Sequence, residues 1–129
     1  MCALRFVILE EISISLESKG VSKSETLENI KKSIIKSFLD TLILVKLKNH
    51  GDSNGYQIVR FIQNKYDLMI SPSTVYSVLY LLEQRDLIKA ESINNTRVYS
   101  LTEKGLAMTE IILNHQEEIT DYVSMCISK

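Results

Sequence analysis

Residues 70–88, ISPSTVYSVLYLLEQRDLI, constrain the fold more than any other stretch of the chain. Ser71 can accept a hydrogen bond from a free amide in the first turn of a helix. Pro72 suits the first helical position, where its missing N–H costs nothing. Val75, Val78, Leu79 and Leu82 then recur at three and four residues and define an inward stripe. Ser73, Thr74, Ser77 and Tyr80 fall mainly on the other side, with Tyr76 at the border. A well-marked helix therefore presents a compact, polar face that carries no charge before Glu83.

The neighbouring segments say what this helix belongs to. Upstream, Ser22 and Glu25 have capping-box spacing, with Ser24 as a competing cap, and a helical pattern runs on to about Asn49. Ile34, Ile35, Phe38, Leu39, Leu42, Ile43, Val45 and Leu47 give it so wide an apolar face that its latter half must be central to the core. Gly51 stops it. The residues DSNG supply a turn and a new N-terminus, and YQIVRFIQNKY spaces Ile58, Val59, Ile62 and Tyr66 as a short amphipathic helix.

Downstream, Leu87-Ile88 leads into KAESI, NNT and RVYSL, two extended runs about a tight turn at Asn94-Asn95, since Asn tolerates positive φ. This predicts a two-stranded hairpin. Thr102 then caps a last helix of some twenty residues, with Glu103 near its positive end. Met108, Ile112, His115, Ile119, Tyr122, Val123 and Cys126 form its stripe, and the second half has little core left to cover, so a partner chain is its expected destination.

Three helices, a hairpin and a further helix are the order of a winged helix-turn-helix. The fold class expected is mainly α with a small β wing, plus a C-terminal dimerisation helix and an N-terminal extension. The corresponding division is 1–21 for the extension, 22–102 for the winged helix-turn-helix and 103–129 for the dimerisation helix. Within the extension, Leu4, Phe6, Ile8, Ile12, Ile14 and Leu16 alternate with mostly polar residues, a period of two that favours a strand or hairpin.

Composition agrees with one compact domain and a small appendage: 129 residues, 45% of them apolar. No run approaches the roughly 20 apolar residues of a membrane span, and the N-terminal residues lack a secretory signal pattern. An intracellular, cytoplasmic protein is expected, with Cys2 and Cys126 as free thiols and an intersubunit bridge as the alternative. Net charge is −1, but residues 1–30, 31–100 and 101–129 carry −2, +4 and −3. A basic middle between acidic ends suggests that an anionic partner meets the middle.

In a winged helix-turn-helix the third helix offers its N-terminal half to the major groove. Ser and Thr can bond phosphates or base edges, the Thr methyl can touch a thymine methyl, and Tyr can reach a phosphate. The candidate DNA-binding residues are therefore Ser71, Ser73, Thr74, Tyr76, Ser77 and Tyr80, joined by Tyr56, Lys65, Lys89 and Arg97. Lys48, His50 and Arg60 are further candidates for the backbone. Arg97 has an alternative role, pairing with Glu91 across the hairpin. No Gly-rich phosphate loop or nucleophile motif is present, and His50 and His115 lack nearby ligands. No enzyme activity, cofactor or metal is expected.

The fragments FLDTLILVKL, GYQIVRFI, SPSTVYSVLYLLEQRDLI and RVYSLTEKG resemble the PadR family of winged-helix transcriptional regulators. The resemblance covers roughly residues 36–112 and rests on Gly55-Tyr56, the Ser-x-Ser-Thr-Val-Tyr entry at residues 71–76, Leu87-Ile88, and Tyr99 followed by Leu101-Thr102-Glu103-Lys104-Gly105. It implies a dimeric DNA-binding regulator, usually a repressor, whose C-terminal helix or helices make the dimer. The chain departs from the family pattern at Ser77, where Pro is frequent, at Tyr80 and Leu81, where basic residues are frequent, and at Asp86, where Gly is usual. A homodimer on a pseudo-palindromic operator is the expected assembly, with an unidentified small-molecule effector as a candidate regulator. The alternative is a winged helix turned to binding a protein without specific DNA binding.

Overall fold

The computed structural model describes residues 19–128. The strand or hairpin expected within residues 1–21, and Cys2 with it, falls outside the described residues. The chain forms two compact units, divided between Ser37 and Phe38.

The described part of the first unit is α1, Lys23–Ser37. Its N-terminus is held as the sequence predicts: Ser22 Oγ accepts from the Glu25 N–H at 3.3 Å, and the Ser22 carbonyl accepts from Thr26. Leu27, Ile30 and Ile34 recur at helical spacing and are exposed. The single helix expected from Ser22 to Asn49 is in fact two. At Phe38 the backbone turns to φ −100°, ψ 11°, the sparsely populated bridge region, and its carbonyl already accepts from Leu42 to begin the next helix.

In the second unit the order is α2 (Leu39–His50), β1 (Ser53–Asn54), α3 (Gly55–Tyr66), α4 (Pro72–Gln84), β2 (Ile88–Ile93), β3 (Thr96–Leu101), α5 (Glu103–Asn114) and α6 (Gln116–Ile127). Gly51, at φ 81°, ends α2 and donates its N–H to the Leu47 carbonyl, a left-handed stop that favours glycine. The core is assembled from Leu39, Ile43, Leu44 and Leu47 of α2, Ile58, Val59 and Ile62 of α3, and Val75, Leu79 and Leu82 of α4. Leu87, Ile88 and Tyr99 close it from the wing side. Each fully buried aliphatic side chain contributes about 1.5–3 kcal/mol relative to exposure. Of the wide apolar face expected around residues 34–47, Ile34 stays exposed, while Leu44, outside the expected stripe, is buried.

The expected two-stranded hairpin is present as β2 and β3, and a third strand extends the sheet. It has three antiparallel strands in the order β1-β3-β2, because Ser53 and Asn54 pair with Tyr99 and Val98. A two-residue strand is too short to show any alternation, which is why DSNG reads only as a turn. The hairpin turn itself lies at Asn94-Asn95, both at positive φ (51° and 64°), the backbone a two-residue turn of this hand requires.

Asn54 also starts α3 through a full capping box: its side chain accepts from the Gln57 N–H at 2.8 Å, and its own N–H donates to the Gln57 side chain at 2.9 Å. Asn54→Ala is expected to cost about 1 kcal/mol, read as a lower urea midpoint at unchanged slope.

The last helix is also two. At His115 (φ −123°, ψ 30°) the backbone N–H bonds Ile112, three residues back, and the ring Nδ1 lies 2.7 Å from the Ile111 carbonyl. That side chain occupies a backbone acceptor where the helix would otherwise continue. The expected stripe is divided accordingly. Met108 and Ile112 on α5 are half-buried beside buried Gly105 and Thr109, whereas every residue of α6 is exposed.

Candidate nucleic-acid interface

Ser71 caps α4 from an extended backbone: its Oγ accepts from the Thr74 N–H at 3.3 Å and lies 2.6 Å from Ser73 Oγ. Pro72 occupies the first turn. This end of the helix carries the positive end of the helix dipole, a favourable place for an anion. Val75, Leu79 and Leu82 are turned into the core with Val78 half-buried, so the helix cannot rotate about its axis. Ser73, Tyr76, Ser77, Tyr80 and Leu81 are held outward and together line one shallow groove. Thr74 sits at its edge, half-buried.

Tyr76 is packed as well as presented. A Cβ on Gly55 would overlap the Tyr76 ring edge and hydroxyl, so the phenol rests over the first residue of α3 while 45% of Tyr76 stays exposed. Gly55 is small because Tyr76 is there. Tyr56, beside it, is exposed in the first turn of α3.

The expected cations are more dispersed. Lys65 lies at the far end of α3 with its ammonium 5.5 Å from the ring centroids of both Phe61 and Tyr66. His50 stacks obliquely on Phe61 at 5.0 Å. Lys89, exposed on β2, stands opposite Ser100 of β3. Arg97 corrects an expectation: its cross-strand neighbour is Ser92, and its guanidinium donates to Glu83 of α4 at 2.7 Å, not to Glu91. A one-residue difference in register puts Glu91 opposite Val98. The hydrogen bond and charge of Glu83 hold the Arg97 guanidinium above its usual pKa. This pair fastens the wing to α4.

Three features escape sequence reasoning. Lys46 is buried on α2, its Nζ donating to Ser53 Oγ at 2.6 Å and lying 5.4 Å from the Phe61 centroid; burial pushes its pKa down. The Lys46–Ser53 bond anchors β1 to α2, and Ser53 Oγ in turn donates to the Gly51 carbonyl at 3.1 Å. Leu81 and Met69 are conspicuously exposed for apolar residues, Leu81 on the groove and Met69 (94% exposed) in the turn before α4. A lysine inside an apolar helix face and a leucine one place off the stripe are the only signals the sequence carries for these. Among the described residues no group of three or more His, Cys, Asp or Glu is placed to hold a metal ion.

An α3–turn–α4 pair braced by α2, followed by the β2–β3 hairpin that β1 joins as a third strand, defines a winged helix-turn-helix. The family model of the transcriptional regulator PadR-like family matches residues 43–110, just over half of the chain, and the chain belongs to that family. Its members are transcriptional regulators. No curated protein matches the chain. Among solved structures, a transcriptional regulator from Clostridium thermocellum is 27% identical, with a TM-score of 0.60 over 74% of this chain and 96% of that one. A PadR family transcriptional regulator from Eggerthella lenta superimposes with a TM-score of 0.66 at 19% identity, over 82% and 96% of the two chains. BpsR of Bordetella bronchiseptica, whose DNA binding is regulated by 6-hydroxynicotinic acid, shares the fold at 23% identity and a TM-score of 0.55, over 64% of this chain and 57% of its own. Among the described residues no helix is long and apolar enough to cross a membrane.

Proposed function

We propose that the chain acts as a homodimer on a pseudo-palindromic operator and represses transcription by occluding a promoter. The observation that carries this reading is the outward face of α4, with Ser73, Tyr76, Ser77 and Tyr80 exposed on a helix whose opposite face is locked into the core. Two copies of α4 would enter successive major grooves, with Ser71, Thr74 and Tyr56 beside them and Lys65 and Lys89 directed to phosphates, while Arg97 stays paired with Glu83 and holds the wing in place. Residues 22–102 then form the DNA-binding part and 103–129 the dimerisation part. Footprinting on DNA upstream of the chain's own coding sequence tests this. Two protected tracts about one helical turn apart, or a multiple, are expected; a single unpaired tract would contradict the homodimer.

Support for the dimer comes from α6. Ile119, Tyr122, Val123, Met125 and Ile127 are exposed on it, far more apolar surface than a lone helix end retains in water. Replacing Ile119 and Val123 together with Lys is expected to halve the sedimenting mass and to lower operator affinity at least tenfold, through loss of the second half-site. Binding of a small-molecule effector, as for BpsR, is included in the proposal as a regulator of operator affinity.

One observation favours a second reading, a protein-interaction module: α4 has no basic residue in its first or last turn. Salt dependence separates the two, since phosphate contacts release counterions and contacts with a protein need not.

A further inference from the structure

We infer that α4 reads A·T base pairs through the thymine methyl and the adenine amino group, with Leu81 as a specificity-determining side chain. The inference rests on the DNA-binding reading above and names the sequence class that this site selects.

The chemistry of the groove carries it. Ser73, Tyr76, Ser77, Tyr80 and Leu81 line it, and none of them is Arg, Lys, Asn or Gln. Guanine is read chiefly by Arg or Lys donating to O6 and N7, and adenine in bidentate fashion by Asn or Gln. The two guanidinium groups at the C-terminal end of α4 have carboxylate partners, Arg97 of β3 with Glu83 at 2.7 Å and Arg85 with Asp40 at 3.7 Å. The face therefore has no strong donor for guanine.

Its hydroxyls lean the other way. Ser77 Oγ donates its proton to the Ser73 carbonyl at 2.8 Å, which leaves its lone pairs facing outward as acceptors. An acceptor in the major groove meets the amino group of adenine or of cytosine. One turn further on, Leu81 is 57% exposed and Tyr80 62%, an apolar patch on an otherwise hydroxylated face. Thymine alone among the four bases offers a methyl group there. Only an A·T pair presents an amino donor and a methyl together.

The test begins with selection from a duplex library with a randomised core, using the full chain. The enriched duplex is then resynthesised with deoxyuridine for thymine, which removes only the methyl groups, and separately with 7-deazaguanine for guanine. Expected are an A·T-rich core and about fourfold weaker binding per contacted thymine replaced. Leu81→Ala, at an exposed position where the fold does not depend on the side chain, should bind thymine and deoxyuridine duplexes equally. A guanine-dominated core sensitive to 7-deazaguanine would overturn the inference, and so would an A·T core indifferent to deoxyuridine, which is reading by groove shape. Both leave selective DNA binding intact. Failure to bind any duplex at low salt would instead remove the DNA-binding reading, and the inference with it.

Discussion

Gly105→Ala should lower the free energy of unfolding by about 3 kcal/mol, at the upper end of overpacking costs, and the melting temperature by roughly 10–20 °C. A Cβ at Gly105 would overlap the Leu87 carbonyl oxygen and stand 2.9 Å from its carbon. Both are backbone atoms, so no side chain can swing aside to make room. The same Leu87 carbonyl accepts from the Thr102 N–H at 3.1 Å, and Thr102 Oγ1 donates to the Asp86 carbonyl at 2.7 Å while accepting from the Gly105 N–H at 3.0 Å. Moving α5 and its cap away to admit a methyl group would stretch the two bonds from Thr102 to Leu87 and Asp86. Leu106→Ala, one residue on and exposed, is the control and should stay within about 0.5 kcal/mol of the parent. Equal stabilities for Gly105→Ala and the parent chain would show that α5 does not approach the wing this closely.

The double substitution Thr74→Ala, Tyr76→Ala should weaken operator binding by about 30–100-fold, on the basis of roughly 1 kcal/mol or more for each interaction removed. The fold should survive it. Both positions lie on the outer side of α4, Tyr76 nearly half exposed, and Ala is the better helix former at either. An unfolding midpoint close to the parent's, together with reduced affinity, assigns the effect to recognition. Unchanged affinity in a folded variant would take these two residues out of the interface.

How much is legible in the sequence follows from which physical signals are local. The cap at Ser71, the stripe Val75-Leu79-Leu82 and the Asn94-Asn95 turn each depend on a few adjacent residues, and each can be read directly. The breaks at Phe38 and His115 cannot. Neither is marked by Gly or Pro, and apolar periodicity runs through both, so the pattern suggests two long helices where there are four shorter ones. The third strand is hidden for another reason: Ser53 joins the sheet only because Tyr99, distant in sequence, arrives beside it.

The candidate site shows the same division. The outward residues of α4 are identifiable as the complement of a buried stripe, which needs only helical geometry. Arg97 has a nearby carboxylate in sequence, Glu91, but its true partner is Glu83, because strand register and the proximity of α4 are tertiary facts, invisible in a hairpin read alone. Gly55 shows the converse. Its place in the Gly-Tyr pair is plain in the sequence, but its reason, the Tyr76 ring lying over it, comes from a residue 21 positions away on the next helix. Leu81 stands out in the sequence only as a departure from the family pattern, and its exposure is what makes it a candidate for the groove.

On the proposed function, this winged helix binds a specific DNA through α4. The most direct measurement is a fluorescence-anisotropy titration of the full chain with its own upstream DNA and with a scrambled duplex of equal length, at two salt concentrations. Tighter binding to the upstream duplex is expected, with both affinities falling as salt rises in proportion to the phosphates neutralised. No binding to either duplex at low salt would contradict it and point to a protein partner for the exposed face of α4.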